Sequence, residues 1–138
     1  MNGLNRGALI GVGTDIIETR RFHRIAERAP AGVAGRLFTR AELSVDGPLT
    51  AQYLASRFAA KEAVMKSLGS GMDRIAFTDI EVFHDGSGRP WVKLSGGARD
   101  WASAQGIGKV LISISHSHDF VCAFAVSLGG EPDEIGHS

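Results

Sequence analysis

The chain has one cysteine in 138 residues, Cys122. A lone thiol cannot form an internal disulfide, so a reducing compartment fits and a crosslinked scaffold is excluded. Cys122 stands between Val121 and Ala123 in an apolar run, where a small buried hydrophobe is expected. Net charge is also missing, since 15 Lys plus Arg balance 15 Asp plus Glu. A neutral chain argues against a nucleic-acid grip or a polybasic membrane anchor, though it leaves room for a local basic patch. No hydrophobic run is long enough for a signal or a membrane span; the patch at residues 8–10 falls far short. A cytoplasmic protein is the default expectation. No repeat, low-complexity block or linker divides the sequence, so residues 1–138 are expected to form one domain with loose ends at 1–7 and 129–138.

Several familiar motifs are incomplete. Gly11 and Gly13 do not make a dinucleotide fingerprint, because Ile16 takes the third glycine position. No phosphate loop of the Walker type exists, since Gly108-Lys109 is followed by Val110. His116 and His118 alternate near Asp119, but no second cysteine or distant histidine pair completes a zinc site. One of these imidazoles reaching an anion is the better functional reading, beside that of a solvated turn.

What is present reads as a small α+β domain. Residues 8–17 form a buried strand that ends near Asp15. Residues 18–28 make a short surface helix closed by Pro30, and its Arg20, Arg21 and Arg24 form a basic cluster suited to solvent or to an acidic protein partner. Thr39 and Glu42 have the spacing of a capping box. A helix follows over residues 50–68, with Gly69 and Gly71 as stop signals. Residues 79–83 and 91–94 form one hairpin, residues 98–105 a helix, and residues 110–115 and 120–128 a second hairpin. This order predicts an antiparallel sheet packed on a long central helix.

That helix carries the most information. On a wheel of about 100° per residue, Leu54, Phe58, Val64, Met65 and Leu68 share a broad face, and Ala55, Ala59, Ala60 and Ala63 fill the other side. A helix apolar on one side and small on the other packs nearly all round. Yet it carries Arg57, Lys61, Glu62 and Lys66, with Lys61 on the apolar arc, where a charge is costly unless paired or used. Glu62 and Lys66, four apart, can pair, but an exposed pair of that kind contributes only about 0.3–0.5 kcal/mol. The functional reading is a glutamate that ligates a hard cation, with the basic residues collecting phosphates. Asp15, on its own, reads equally as a cap or turn carboxylate.

Taken together, three blocks resemble the bacterial holo-acyl-carrier-protein synthase family. They are Gly11-Val12-Gly13-Thr14-Asp15-Ile16, then Arg57-Phe58-Ala59-Ala60-Lys61-Glu62-Ala63 with Lys66 and Gly69, then Ser113-Ile114-Ser115-His116-Ser117. The resemblance spans the chain from about Leu9 to Val126. It implies a phosphopantetheinyl transferase that moves the arm of coenzyme A onto a serine of apo-acyl carrier protein, in a homotrimer with sites between subunits. It implies Asp15 and Glu62 as Mg2+ ligands and Lys66 as a third catalytic group near the bridging phosphate. It further implies substrate contacts from Arg57, Lys61, Gly69, Arg89, Pro90, His116 and Ser117, and carrier-protein contacts from Arg21 and Arg24. A non-catalytic trimeric module that binds coenzyme A or a nucleotide is the alternative. It makes less use of a carboxylate pair, because binding phosphates alone calls for cations.

Overall fold

The computed structural model describes residues 6–69 and 73–132. Strand β1, Leu9–Glu18, turns its odd-numbered residues inward, so that Gly13 and Ile17 are buried while Val12 and Ile16 are exposed. A 3-10 turn at Thr19–Phe22 leads into α1, His23–Arg28. The expected single helix over 18–28 is therefore two pieces. A four-residue helix that sequence reading did not find, α2 at Ala34–Leu37, follows; it includes Gly35 and is too short to show a period. Helix α3, Arg40–Leu43, opens on the expected capping box, with Thr39 Oγ1 accepting from the Glu42 N–H and Glu42 Oε1 accepting from the Thr39 N–H.

Helix α4 runs over Ala51–Leu68. Thr50 caps its start by accepting the Tyr53 N–H, and Gly69 ends it in the left-handed region at φ 71°, a conformation that costs a glycine little. Strands β2, Ile80–His84, and β3, Pro90–Leu94, pair as an antiparallel ribbon. Helix α5, Gly96–Ala104, precedes β4, Ile107–His116, and β5, Phe120–Gly129. β1, β5 and β4 form a three-stranded antiparallel sheet in that order, with the first strand paired to the last. Helix α4 lies across the inner face of this sheet, mainly on β1 and β5. The core it closes contains Ile17, Phe22, Phe38, Leu54, Val64, Ile80, Val92 and Val121, each a side chain whose full burial is worth roughly 1.5–3 kcal/mol.

The outer face of the sheet is apolar and uncovered in the single chain. Val12, Ile16, Phe120 and Phe124 are all exposed there, and Ile16 stands opposite Cys122. Cys122 is exposed, which corrects its expected burial: the inward positions of β5 belong to Val121, Ala123 and Ala125. The loose ends expected to begin at residues 7 and 129 are also corrected. The Gly7 N–H donates to the Gly129 carbonyl at 2.7 Å and the Gly129 N–H to the Ala8 carbonyl at 2.8 Å, which ties both into the β1–β5 pairing. Gly71 and the outermost terminal residues lie outside the described residues. No helix among the described residues is long and apolar enough to cross a membrane.

Candidate active site

Because side chains alternate along a strand, Asp15 faces the same way as Gly11 and Gly13, toward α4. The glycines let the helix come close. A Cβ at Gly11 would lie 2.1 Å from the Ser67 carbonyl oxygen, and one at Gly13 would lie 2.0 Å from the Ala63 carbonyl oxygen. No other residue fits between these two backbones. Asp15 thus meets the stretch of α4 that carries Glu62 and Lys66. Lys66 Nζ donates to the Thr14 carbonyl at 2.8 Å and lies 3.4 Å from Asp15 Oδ1. The helical Glu62–Lys66 pairing gives way to this arrangement, and no ion pair among the described residues includes Glu62.

Two carboxylates, Asp15 and Glu62, share this corner with the Lys66 and Arg21 cations. Partial burial, and then the neighbouring Asp15 carboxylate, push the Glu62 carboxyl above its usual range, with Lys66 and Arg21 opposing. The folded chain therefore holds this proton more tightly than the unfolded chain does. The stabilisation that accompanies protonation is fully present below the ordinary Glu range and is lost as pH climbs through the raised value. Asp15 Oδ2 is buried and has no hydrogen-bond partner among the described residues, an arrangement that costs free energy unless something else meets it. Two converging carboxylates with a free buried oxygen fit a hard divalent ion. Among the described residues no cluster of three or more His, Cys, Asp or Glu side chains could hold a metal. A two-carboxylate site suits Mg2+, which keeps waters and phosphate oxygens as its remaining ligands, better than zinc.

A second polar site opens at the opposite edge of the sheet. A cleft of about 280 Å3 is lined by Gln52, Tyr53, Arg57, His84, Ile114 and His116, among others. The Arg57 guanidinium stacks 4.0 Å from the Tyr53 ring centroid, with Nη1 on Ser56 Oγ at 3.1 Å and Nη2 on His84 Nδ1 at 2.9 Å. Gln52 Nε2 lies 3.2 Å from His116 Nδ1. Pro90 pairs with His84 across the hairpin, and Arg89 stacks 4.4 Å over Trp91. The turn between β2 and β3 is held by Asp85, which accepts from the Ser87 N–H and hydroxyl, the Arg89 N–H and Trp91 Nε1. The Ser87 and Trp91 bonds hold its carboxyl well below the usual range. Of the residues singled out in the sequence, Arg57 and His116 line this cleft, Arg89 and Pro90 lie in the adjoining hairpin rather than in its lining, and Tyr53, His84 and Asp85 had no role assigned. The last two sat in a stretch legible only as a turn.

The remaining predicted residues scatter. Lys61 is not at either site, and its expected contact with substrate phosphates is corrected. Its side chain is fully buried, pairs with the equally buried Glu42 at 2.8 Å, and donates to the carbonyls of Phe77 and Ile80. All three ammonium hydrogens are used. Ser117 closes the β4–β5 turn through its N–H to the Phe120 carbonyl. Gly69 contributes the turn that ends α4. Arg21 is exposed and acts on Glu62, whereas Arg24 lines a surface groove with Arg28, Arg36 and the exposed Val33. His118 pairs with Asp119 in the solvent.

A sheet with a helix pressed onto it, a carboxylate pair where they touch and a basic cleft at the far edge define a candidate metal-assisted phosphate-transfer protein. The family comparison narrows this class. The family model described as the 4'-phosphopantetheinyl transferase superfamily matches residues 11–125, and the chain belongs to that family. A holo-[acyl-carrier-protein] synthase of Clostridium novyi is 40% identical over 120 residues, 86% of each chain. The crystal structure of the synthase from Neisseria meningitidis superposes with a TM-score of 0.75 at 36% identity, covering 86% of this chain and 98% of that one. The synthase from Bacillus anthracis, solved in complex with coenzyme A (3',5'-ADP), has a TM-score of 0.70 at 31% identity, covering 88% and 98%.

Proposed function

We propose that this chain transfers the phosphopantetheine arm of coenzyme A to a serine of an apo-acyl carrier protein and releases adenosine 3',5'-bisphosphate, with Mg2+ bound by Asp15 and Glu62. The serine oxygen attacks the β-phosphorus, the bond from that phosphorus to the bridging oxygen breaks, and the serine proton ends on solvent or on the departing bisphosphate. Bound at the carboxylates, the ion would neutralise charge on the pyrophosphate as the transfer proceeds. Lys66, anchored to the Thr14 carbonyl, holds a positive charge beside the same corner for the bridging or departing phosphate. Arg57 and His116 take the other phosphate of the nucleotide in the cleft, with Ser117, Arg89 and Pro90 at its rim. Arg21, with Arg24, meets an acidic face of the carrier protein; charge pairing of that sort speeds encounter and weakens with salt.

The observation that carries this reading is the Asp15 oxygen, buried and without a hydrogen-bond partner among the described residues, beside a glutamate whose proton affinity is raised by burial and then by the Asp15 charge. A module that only binds phosphates makes less use of such a pair. The assembly belongs to the same proposal. In the three-stranded sheet β5 separates β1 from β4, so the carboxylate corner and the cleft lie at opposite edges, roughly 10 Å apart by strand spacing, with α4 between them. Subunits that meet across the exposed apolar face would bring the cleft of one to the carboxylates of the next, and a homotrimeric ring does so three times.

The test is to incubate the protein with coenzyme A, Mg2+ and an apo carrier protein and weigh the carrier. The expected result is a gain of one phosphopantetheine arm, abolished by a chelator. Glu62→Gln and Asp15→Asn should each lower the rate by about a hundredfold or more without loss of folding. Near-normal turnover in either variant would overturn the metal assignment.

A further inference from the structure

The guanidinium of Arg57 is held on three sides, and the three contacts are not equivalent. Tyr53 and Ser56 lie on the same helix as Arg57, so they fix the guanidinium only relative to α4. His84 comes from the end of β2 and, among the described residues, is the contact that ties Arg57 to the β2–β3 hairpin, which meets β4 in the far wall of the cleft. An arginine can only donate. The 2.9 Å contact from Arg57 Nη2 therefore requires a lone pair on His84 Nδ1, and with it a neutral ring protonated on Nε2.

We infer that His84 is a positioning residue for substrate binding: its neutral imidazole aims Arg57 into the cleft, and protonation in mild acid releases the guanidinium. This rests on reading the cleft as the site of the nucleotide phosphate. Burial, and then the Arg57 charge, push the His84 imidazole below its usual value, with Asp85 partly opposing, so the acceptor form prevails at neutral pH. Among the described residues the charged and titratable groups that face the pair include Tyr53 of α4, whose ring lies against Arg57 and whose phenol is kept protonated by burial. Arg57 comes from α4, and Asp85 from the turn, its oxygens occupied by Ser87, Arg89 and Trp91. His116 lines the cleft from β4, its Nδ1 facing Gln52. Protonated on Nδ1, His84 would stand against Arg57 as a like charge and could no longer accept its hydrogen.

The experiment compares the full-length wild type with His84→Phe and His84→Asn, all checked for cooperative melting. Adenosine 3',5'-bisphosphate is titrated calorimetrically at about pH 8 and about pH 5.5, on either side of an ordinary imidazole value, and steady-state rates are measured with coenzyme A varied. His84→Phe is expected to weaken bisphosphate binding and raise the KM for coenzyme A about tenfold, the worth of a hydrogen bond to a charged group, with kcat nearly unchanged. His84→Asn, which places an amide oxygen where Nδ1 was and cannot titrate, is expected to recover most of that loss. It should also lack the extra weakening that the wild type shows in acid. Titration of the probe itself is common to all three proteins and cancels. Wild-type binding in the Phe variant, or the full wild-type acid response in the Asn variant, overturns the inference. Should the Phe variant fail to fold, the pH comparison of the Asn variant decides alone. A wild type that neither binds the bisphosphate nor loads a carrier overturns the functional reading and this role with it. A wild type that does both while the variants match it overturns only the role of His84.

Discussion

Lys61 and Glu62 are adjacent in the sequence and occupy opposite environments. One residue of helix turns the chain by about 100°, which carries Lys61 into the core and leaves Glu62 at the carboxylate corner. The apolar arc of α4 announced that Lys61 must be paired or used, but not which. Its partner, Glu42, sits on α3 and also accepts from the Thr39 and Val82 N–H groups; the local pattern reveals the first of these bonds as a capping box, but not the bond to Val82 or the pairing with Lys61. Burial pulls the Lys61 ammonium below its usual value while Glu42 opposes the shift. The pair joins α3, α4 and β2 in a region with no access to water. Lys61→Met should therefore strand the Glu42 carboxylate and destabilise the fold by about 3–5 kcal/mol in urea unfolding. Glu42→Gln combined with Lys61→Met should recover part of that loss, because no buried charge then remains and the amide oxygen can still accept a backbone N–H. At permissive temperature the folded fraction of the single variant should keep its KM for coenzyme A. A KM that rises with little loss of stability would return Lys61 to the phosphates.

At the scale of elements, the joint between β1 and α4 decides whether there is a site at all. Both elements were legible: β1 from an apolar run with glycines and an acid at its end, α4 from its period, its threonine cap and its terminal glycine. Their contact was not, because the reason for Gly11 and Gly13 is a backbone elsewhere in the chain. The same limit hid α2, whose four residues form too short a piece to carry a period, and the pairing of the first strand with the last. Gly13→Ala is expected to cost about 1–3 kcal/mol by overpacking, since the added carbon meets the Ala63 carbonyl and lies 2.8 Å from Lys66 Cβ. The relaxation that relieves the clash moves α4 off β1 and takes Glu62 and Lys66 away from Asp15. The Mg2+ concentration needed for half-maximal rate should rise, and the protection that Mg2+ gives against thermal unfolding should shrink. Gly35→Ala is the control, because a Cβ there meets nothing within 4 Å and should change stability by less than about 0.5 kcal/mol. Equal effects of the two substitutions on the Mg2+ requirement would remove Gly13 from the design of the site.

For the whole molecule, the separation of the two polar sites makes a prediction that no single-chain enzyme shares. If one coenzyme A is held between the carboxylates of one subunit and the cleft of its neighbour, then a subunit lacking only its carboxylate and a subunit lacking only its cleft arginine can complete each other. Glu62→Gln and Arg57→Ala proteins, each nearly inactive alone, should regain activity when unfolded together and refolded as a mixture. In a head-to-tail ring with random assortment at equal amounts, about a quarter of the sites receive both intact halves, so the mixture should reach roughly that share of the wild-type rate. Each preparation refolded separately and then mixed serves as the reference and should stay low until subunits exchange. Sedimentation of the refolded mixture must show the same particle as the wild type. Phe124→Asp, which puts a charge on the exposed apolar face, should yield a monomer that is folded by circular dichroism yet cannot be rescued by either partner. A mixture no more active than its separate components, in particles of normal size, would mean that the two edges of one chain serve the same substrate molecule, and the ring would have no part in the chemistry.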